Sequence, residues 1–246
     1  MPSSDASRAP RVGLLVTCLV DAIRPRVGFA AIRLLEEAGC TVEVPMTQTC
    51  CGQPAWNSGF VSDARRVARR TLRAVADAEA VVVPAGSCAA MMRLHWRHLF
   101  HGEREQELAE RVAARTFELS QYLVDERGWL PPQPAIRAEV SYHDSCHMLR
   151  ELRLHDQPRA LLAAVANLRE LPRADRCCGF GGTFSVRYPD VSTAMADDKL
   201  ASAATISAAT VASADPGCVM QIEGRASRTG AGLRIAHLAT IVAEAL

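Results

Sequence analysis

Two places in this chain set a pair of cysteines side by side and follow them at once with glycine: Cys50-Cys51-Gly52 and Cys177-Cys178-Gly179. Each pair is flanked by one cysteine about thirty residues before it and another about forty after it. Cys18, Cys50, Cys51 and Cys88 form one set, and Cys146, Cys177, Cys178 and Cys218 form the other, at offsets of 128, 127, 127 and 130. One duplicated pattern therefore accounts for eight of the nine cysteines, leaving Cys40, which reads as a plain core residue within an apolar strand.

Four thiols in one place are a soft donor set for a metal, and the number alone suits tetrahedral zinc and a four-iron cluster equally. Spacing separates them in part. The Cys-x2-4-Cys knuckles of zinc ribbons are absent, and adjacent cysteines splay around one tetrahedral ion less readily than they reach neighbouring irons. The reading is an iron–sulfur cluster, 4Fe-4S in type, at one or both sets, with zinc remaining open for the first half. Gly52, Gly179, Gly181 and Gly182 are the residues expected to bring backbone amides close to sulfur, a contact that tunes a centre's potential.

Each cysteine needs an element to position it. Residues 11–17 read as a buried strand ending at Cys18, followed by a helix with Pro25 in its first turn and Gly39 at its end. Residues 40–44 make a second strand, 61–77 a basic amphipathic helix and 80–84 a third strand, with another helix starting near Cys88. A charged helical stretch over 95–112 follows, carrying His95, His98 and His101. The second half repeats the plan, with strands at 139–143, 168–171 and 209–214 and helices over 158–167, 190–207 and from Asp215 onward. Residues 117–123 and 235–241 each read as a last apolar segment leading into a helix. The expected fold is α/β, with two tandem Rossmann-like halves related by duplication and cysteine sites at the carboxyl ends of parallel strands. The halves are expected at 11–127 and 138–246, joined by a Gly- and Pro-rich linker at 128–137.

Composition narrows the function. The chain is 246 residues with a net charge of +1, and its charges are interspersed, so nucleic acid is not an expected partner. The arginines at 65, 66, 69, 70 and 73 read as a solvated helix face. No apolar run is long enough to span a membrane, and the polar first ten residues lack the apolar core of a signal peptide, so a cytoplasmic protein is expected. In that compartment a repeated cysteine framework points to metal or redox chemistry rather than disulfides.

The duplicated pattern resembles the CCG or cysteine-rich domain family. The runs from Tyr142 to His147, Cys177 to Thr183 and Asp215 to Ile222 are most similar to its lactate-utilisation branch. That resemblance implies an iron–sulfur electron-transfer subunit of a complex that oxidises L-lactate or another small 2-hydroxy acid. It also implies partner subunits, at least one with further clusters. The same family includes the catalytic subunit of heterodisulfide reductase, in which a final Cys-x-x-Cys supplies a fifth thiol per site; here Met91 and Gln221 stand at those places. A thiol/disulfide redox enzyme of that kind is the second reading, and a zinc-binding scaffold without redox activity is the third. No nicotinamide or flavin fingerprint and no Walker loop is legible, so hydride chemistry is expected to lie with a partner. His143 and His147 are placed either to ligate or hydrogen-bond a cluster or to make an ordinary structural bond, and both are left outside the ligand set; Met91 and Met220 are read as core methionines, and Trp56, Phe180 and Phe184 as shields against water.

Overall fold

The computed structural model describes residues 9–134, 137–206 and 208–246. The expectations for residues 1–8, for 135 and 136 in the linker and for 207 at a helix end fall outside the described residues. In the first half the strands are β1 (Arg11–Leu14), β2 (Thr41–Glu43), β3 (Ala80–Val83) and β4 (Thr116–Glu118). In the second half they are β5 (Glu139–Tyr142), β6 (Asn167–Glu170), β7 (Thr210–Ser213) and β8 (Arg234–His237). They form two separate parallel sheets, ordered β2-β1-β3-β4 and β6-β5-β7-β8. The two halves are thus the same α/β unit made twice. β1 leads β5 by 128 residues and β3 leads β7 by 130, the same offsets that separate the cysteines following those strands.

Helices cover both faces of each sheet. The helix Pro25–Glu37 starts on proline, buries Val27, Ala31, Leu34 and Leu35 on one face, and is followed by Gly39 with φ of 78°. Its buried face does not meet its own sheet alone. It packs against Leu238–Glu244, the last helix of the other half, while the equivalent helix Asp156–Val165 packs against the segment Leu119–Glu126 of the first half. One hydrophobic core results, holding Val12, Leu34 and Val82 from one half together with Val140, Leu161 and Val242 from the other. Each outer face has its own core, around Leu72, Val81 and Trp96 in the first half and Val211, Val219 and Ile222 in the second.

The strands are shorter than their apolar runs suggest. After Leu14 the chain keeps one more ladder bond, Leu15 N to Val82 O at 2.9 Å, and then turns at Thr17, whose φ of 59° ends any strand. A short helix, Cys18–Ile23, precedes Pro25–Glu37 and is not legible in the sequence. The charged stretch 95–112 is not one helix: the helix from Gly86 ends at Leu99, and a turn containing Gly102 at φ 73° separates it from Gln106–Ala114. The arginine-rich helix Val61–Ala74 pairs Arg65 and Arg69 with Glu103, and Arg69 and Arg73 with Glu105. Much of that basic face is therefore neutralised within the fold. No helix among the described residues is long and apolar enough to cross a membrane.

Candidate metal centre

Every cysteine of the two sets lies just beyond the carboxyl end of a strand. Cys18 opens the helix Cys18–Ile23, and Cys146 directly precedes the helical turn His147–Glu151. Cys88 and Cys218 are both third residues of helices, the first starting at Gly86 and the second at Pro216. Helix starts of this kind favour negative charge nearby.

Within each set the sulfurs approach closely. Cys18 Sγ lies 3.7 Å from Cys50 Sγ, and Cys51 Sγ lies 3.3 Å from Cys88 Sγ. In the second half Cys178 Sγ is likewise 3.3 Å from Cys218 Sγ, and Cys146 lies beside Cys177. The glycine after each pair explains the tripeptide. Gly52 at φ 89° and Gly179 at φ 88° turn their N–H groups onto Cys50 Sγ and Cys177 Sγ, both at 3.4 Å. A Cβ on Gly52 would stand 2.8 Å from Ala64 O, and one on Gly179 would stand 2.5 Å from Ser192 O. Gly181 and Gly182 line the site without donating to sulfur among the described bonds.

The loops are held from behind. Thr71 Oγ1 donates to Cys50 O at 3.0 Å and Trp96 Nε1 to Cys51 O at 2.9 Å. In the second half Ser192 Oγ donates to Gly179 O at 2.8 Å and in turn accepts from Gln221 Nε2 at 2.8 Å. Gln221 therefore buttresses the loop from one of the two positions where five-thiol relatives carry cysteine. Met91, at the other, is fully buried in the first half's outer core. Met220 is half-buried.

The two sets open onto a shared space. All eight cysteines line a single cavity of about 350 Å³ between the halves, with Gln53, Ser87, His147, Phe180 and Asp215 among the other lining residues. The cross-wise packing causes this. The helix at Cys18 touches the helix carrying Cys218, and the helix carrying Cys88 packs on the turn after Cys146, so closely that a Cβ on Gly86 would lie 2.8 Å from Met148 Cβ. Asp215 ties the two sides together: its Oδ2 accepts from Ser87 N at 2.8 Å and its Oδ1 from Gly217 N at 3.0 Å, each one residue before a cysteine. Ser58 Oγ and Thr183 Oγ1 meet across the halves at 3.0 Å. Cys40 lies apart, buried in the shared core.

Electrostatics favour a bound cation. The Cys18 and Cys51 thiols beside Cys50 hold it well below the ordinary thiol range, while its contact with Cys50 and burial hold Cys18 well above. Cys177 and Cys146 repeat that split, through the Cys146 and Cys178 thiols on one side and the Cys177 contact with burial on the other. Full ionisation of either set calls for positive charge among the sulfurs, which a metal supplies. The donor chemistry, the amides aimed at sulfur and the glycine cradles all fit a thiolate-bound metal centre.

The histidines divide. His147 lines the cavity and binds Glu151 Oε1 through Nδ1 at 2.8 Å, and Glu151 Oε2 also binds His95 Nε2 at 3.1 Å. His98 contacts Arg97, and neither it nor His101 belongs to a metal-ligating group among the described residues. His143 is fully buried, and one of its ring nitrogens groups with Cys178 Sγ and Cys218 Sγ, all within 4.8 Å of one another. Of the two roles the sequence leaves open for it, this placement fits that of a neighbour of the cluster cysteines. The available signal was a polar residue at a repeat position that is apolar Leu15 in the first half. Phe180 lines the cavity as expected of a shield, whereas Trp56 stacks on His95 and Phe184 on Tyr188.

A twice-repeated α/β unit whose cysteine pairs face one cavity defines the class, and comparison with known families agrees. Residues 12–93 and 140–223 each match the cysteine-rich domain CCG, and the chain belongs to that family. Lactate utilization protein A of Geobacillus kaustophilus is 45% identical over 235 residues, covering 94% of this chain and 98% of the relative. The protein of that name from Exiguobacterium is 43% identical, covering 96% of this chain and 98% of the relative. Among solved structures, glutamate racemase isoform RacE1 from Bacillus anthracis aligns over 96% of this chain and 79% of its own at 10% identity and a TM-score of 0.36, a likeness too distant to bear on chemistry.

Proposed function

We propose that this chain is an iron–sulfur electron-transfer subunit of a complex that oxidises L-lactate or another small 2-hydroxy acid. Cys18, Cys50, Cys51 and Cys88 would hold one centre and Cys146, Cys177, Cys178 and Cys218 the other. The observation that carries this reading is the gathering of all eight cysteines on one cavity, backed by glycine amides directed at sulfur. Lactate as the substrate is supported by the relatives' name and their near-full-length match. When bound, such centres would supply one-electron acceptance and release. The chain's own part is to hold the thiolates, exclude water with Phe180, and fix the spacing of the two sets through Asp215.

Removing two electrons and a proton from the carbon of a 2-hydroxy acid ordinarily needs a hydride acceptor, and that step falls to a partner subunit. Val186, on the short helix Phe184–Arg187, lines the cavity and is largely exposed, with Tyr188 exposed just after it, which supports docking there. A second reading, thiol or disulfide redox chemistry on a small molecule inside the cavity, is favoured by its shared lining and volume. Anaerobic purification with iron, sulfide and zinc analysis tests the metal, and lactate-dependent reduction of an artificial acceptor tests the role. The expected result is iron with acid-labile sulfide, no turnover by the chain alone, and turnover once partner subunits are added. A colourless zinc protein would overturn the iron–sulfur assignment, and turnover by the isolated chain would overturn the subunit reading.

A further inference from the structure

His143 is the polar side chain that the site described so far leaves without a task. Its backbone N–H donates to Ala212 O at 2.8 Å, the bond that Leu15 makes to Val82 O at 2.9 Å in the first half. The two residues thus occupy the same place in the repeated unit, and both are completely buried. Leu15 completes an apolar core. His143 instead carries two ring nitrogens with no well-formed hydrogen bond, the Ala174 backbone standing near the ring on one side, and one ring nitrogen lies within 4.8 Å of the two most deeply placed sulfurs of the second set. A buried imidazole with both nitrogens unpaired is costly, and such groups in native folds ordinarily have an unseen partner.

We propose that His143 donates an N–H hydrogen bond to the metal-bound thiolates of Cys178 and Cys218, giving the second centre a higher reduction potential than the first. A donor aimed at a thiolate withdraws charge from sulfur and favours the reduced, more negative state of the centre. The first set has backbone amides but no side-chain donor at the matching place, because Leu15 stands there. The duplicated cysteines therefore yield two unlike centres, and an electron delivered to the pair settles at the second. His143 acts through the cysteines and is a positioning and tuning residue, not a ligand.

This inference rests on the iron–sulfur reading, and its test has an arm that does not. In the iron-loaded protein, redox titration followed by electron paramagnetic resonance should show His143→Leu lowering one midpoint potential and leaving the other unchanged. His143→Asn or His143→Gln, whose amide nitrogens stand near the places of Nδ1 and Nε2, should restore part of the shift. In the cobalt(II)-loaded protein, His143→Leu should move the thiolate-to-cobalt charge-transfer band to longer wavelength, whichever metal is native. Potentials and bands unchanged in His143→Leu would overturn the proposal. So would loss of the second centre's metal in folded His143→Leu, Asn and Gln variants alike, which would make His143 a ligand. If the purified protein carries zinc alone, the iron–sulfur reading falls while the cobalt band still decides the hydrogen bond.

Discussion

Replacing Gly179 by alanine tests why glycine must follow the paired cysteines. Its φ of 88° lies where an L-residue costs about 1–2 kcal/mol, and alanine bears that cost in full. The new Cβ would also sit 2.5 Å from Ser192 O, against 3.4 Å for ordinary contact. Ser192 is buried in the helix Pro189–Ala203 and locked by its bonds to Gly179 and Gln221, so relief requires moving that helix or the loop. Overpacking of this kind adds about 1–3 kcal/mol, for a total of about 2–5 kcal/mol. Gly59→Ala provides the control, since Gly59 has φ of 82° and a Cβ there would meet nothing within 4 Å, leaving only the conformational cost of about 1–2 kcal/mol. Urea unfolding of the reduced, metal-free proteins measures both, and an unchanged slope with a shifted midpoint identifies a stability effect. Equal losses for Gly179→Ala and Gly59→Ala would refute the cradle argument.

Three further outcomes are expected. Asp215→Ala removes the acceptor for both Ser87 N and Gly217 N, so it should cost about 1–3 kcal/mol and raise the thiol reactivity of Cys88 as well as Cys218; a change confined to Cys218 would show that Asp215 does not link the halves. Burial raises Glu118 from 4.5 to about 7 and lowers His237 from 6.5 to about 4. Between pH 4.5 and 7 the folded chain holds a proton on Glu118 that the unfolded chain has released, so this group's stabilisation fades as pH rises. Between pH 4 and 6.5 the unfolded chain holds a proton on His237 that the folded chain lacks, so that contribution grows with pH. Relative to wild type, Glu118→Gln should therefore gain up to about 3 kcal/mol on going from pH 4.5 to 8 in denaturant titrations, and a constant difference would contradict the buried carboxyl. Elemental analysis should find that Cys178→Ser loses more iron than Cys51→Ser, since the second set has the richer glycine loop and the extra imidazole; equal losses count against that ranking.

The constant cysteine offset made the duplication, the parallel α/β class and the strand-end positions of the cysteines legible without coordinates. The register of β1 with β5 follows the same count as Cys18 with Cys146. Which side of each half faces the other was not legible. The helix Pro25–Glu37 displays its apolar stripe in sequence, but a stripe states only that something covers it, and the cover comes from Leu238–Glu244, some two hundred positions away. For that reason the opening of both cysteine sets onto one cavity was not legible in the sequence. The sequence leaves His143 open between an ordinary structural bond and a place beside the cluster, and its grouping with Cys178 and Cys218 shows only in the fold.

The core shared between the halves also speaks to ancestry. The contacts are reciprocal, helix Pro25–Glu37 on Leu238–Glu244 and Asp156–Val165 on Leu119–Glu126, which is the pattern of a two-fold symmetric dimer drawn within one chain. A single ancestral copy would have buried this face against a second molecule of itself, and both copies then had to obey the same sequence. Gene fusion ends that obligation. Once the copies are encoded separately, a buried leucine on one side can become histidine on the other, as at 15 and 143. A capping carboxylate in one half can correspond to a capping imidazole in the other, as at 118 and 237. Symmetry of fold with inequality of chemistry is available to a fused pair and closed to a homodimer.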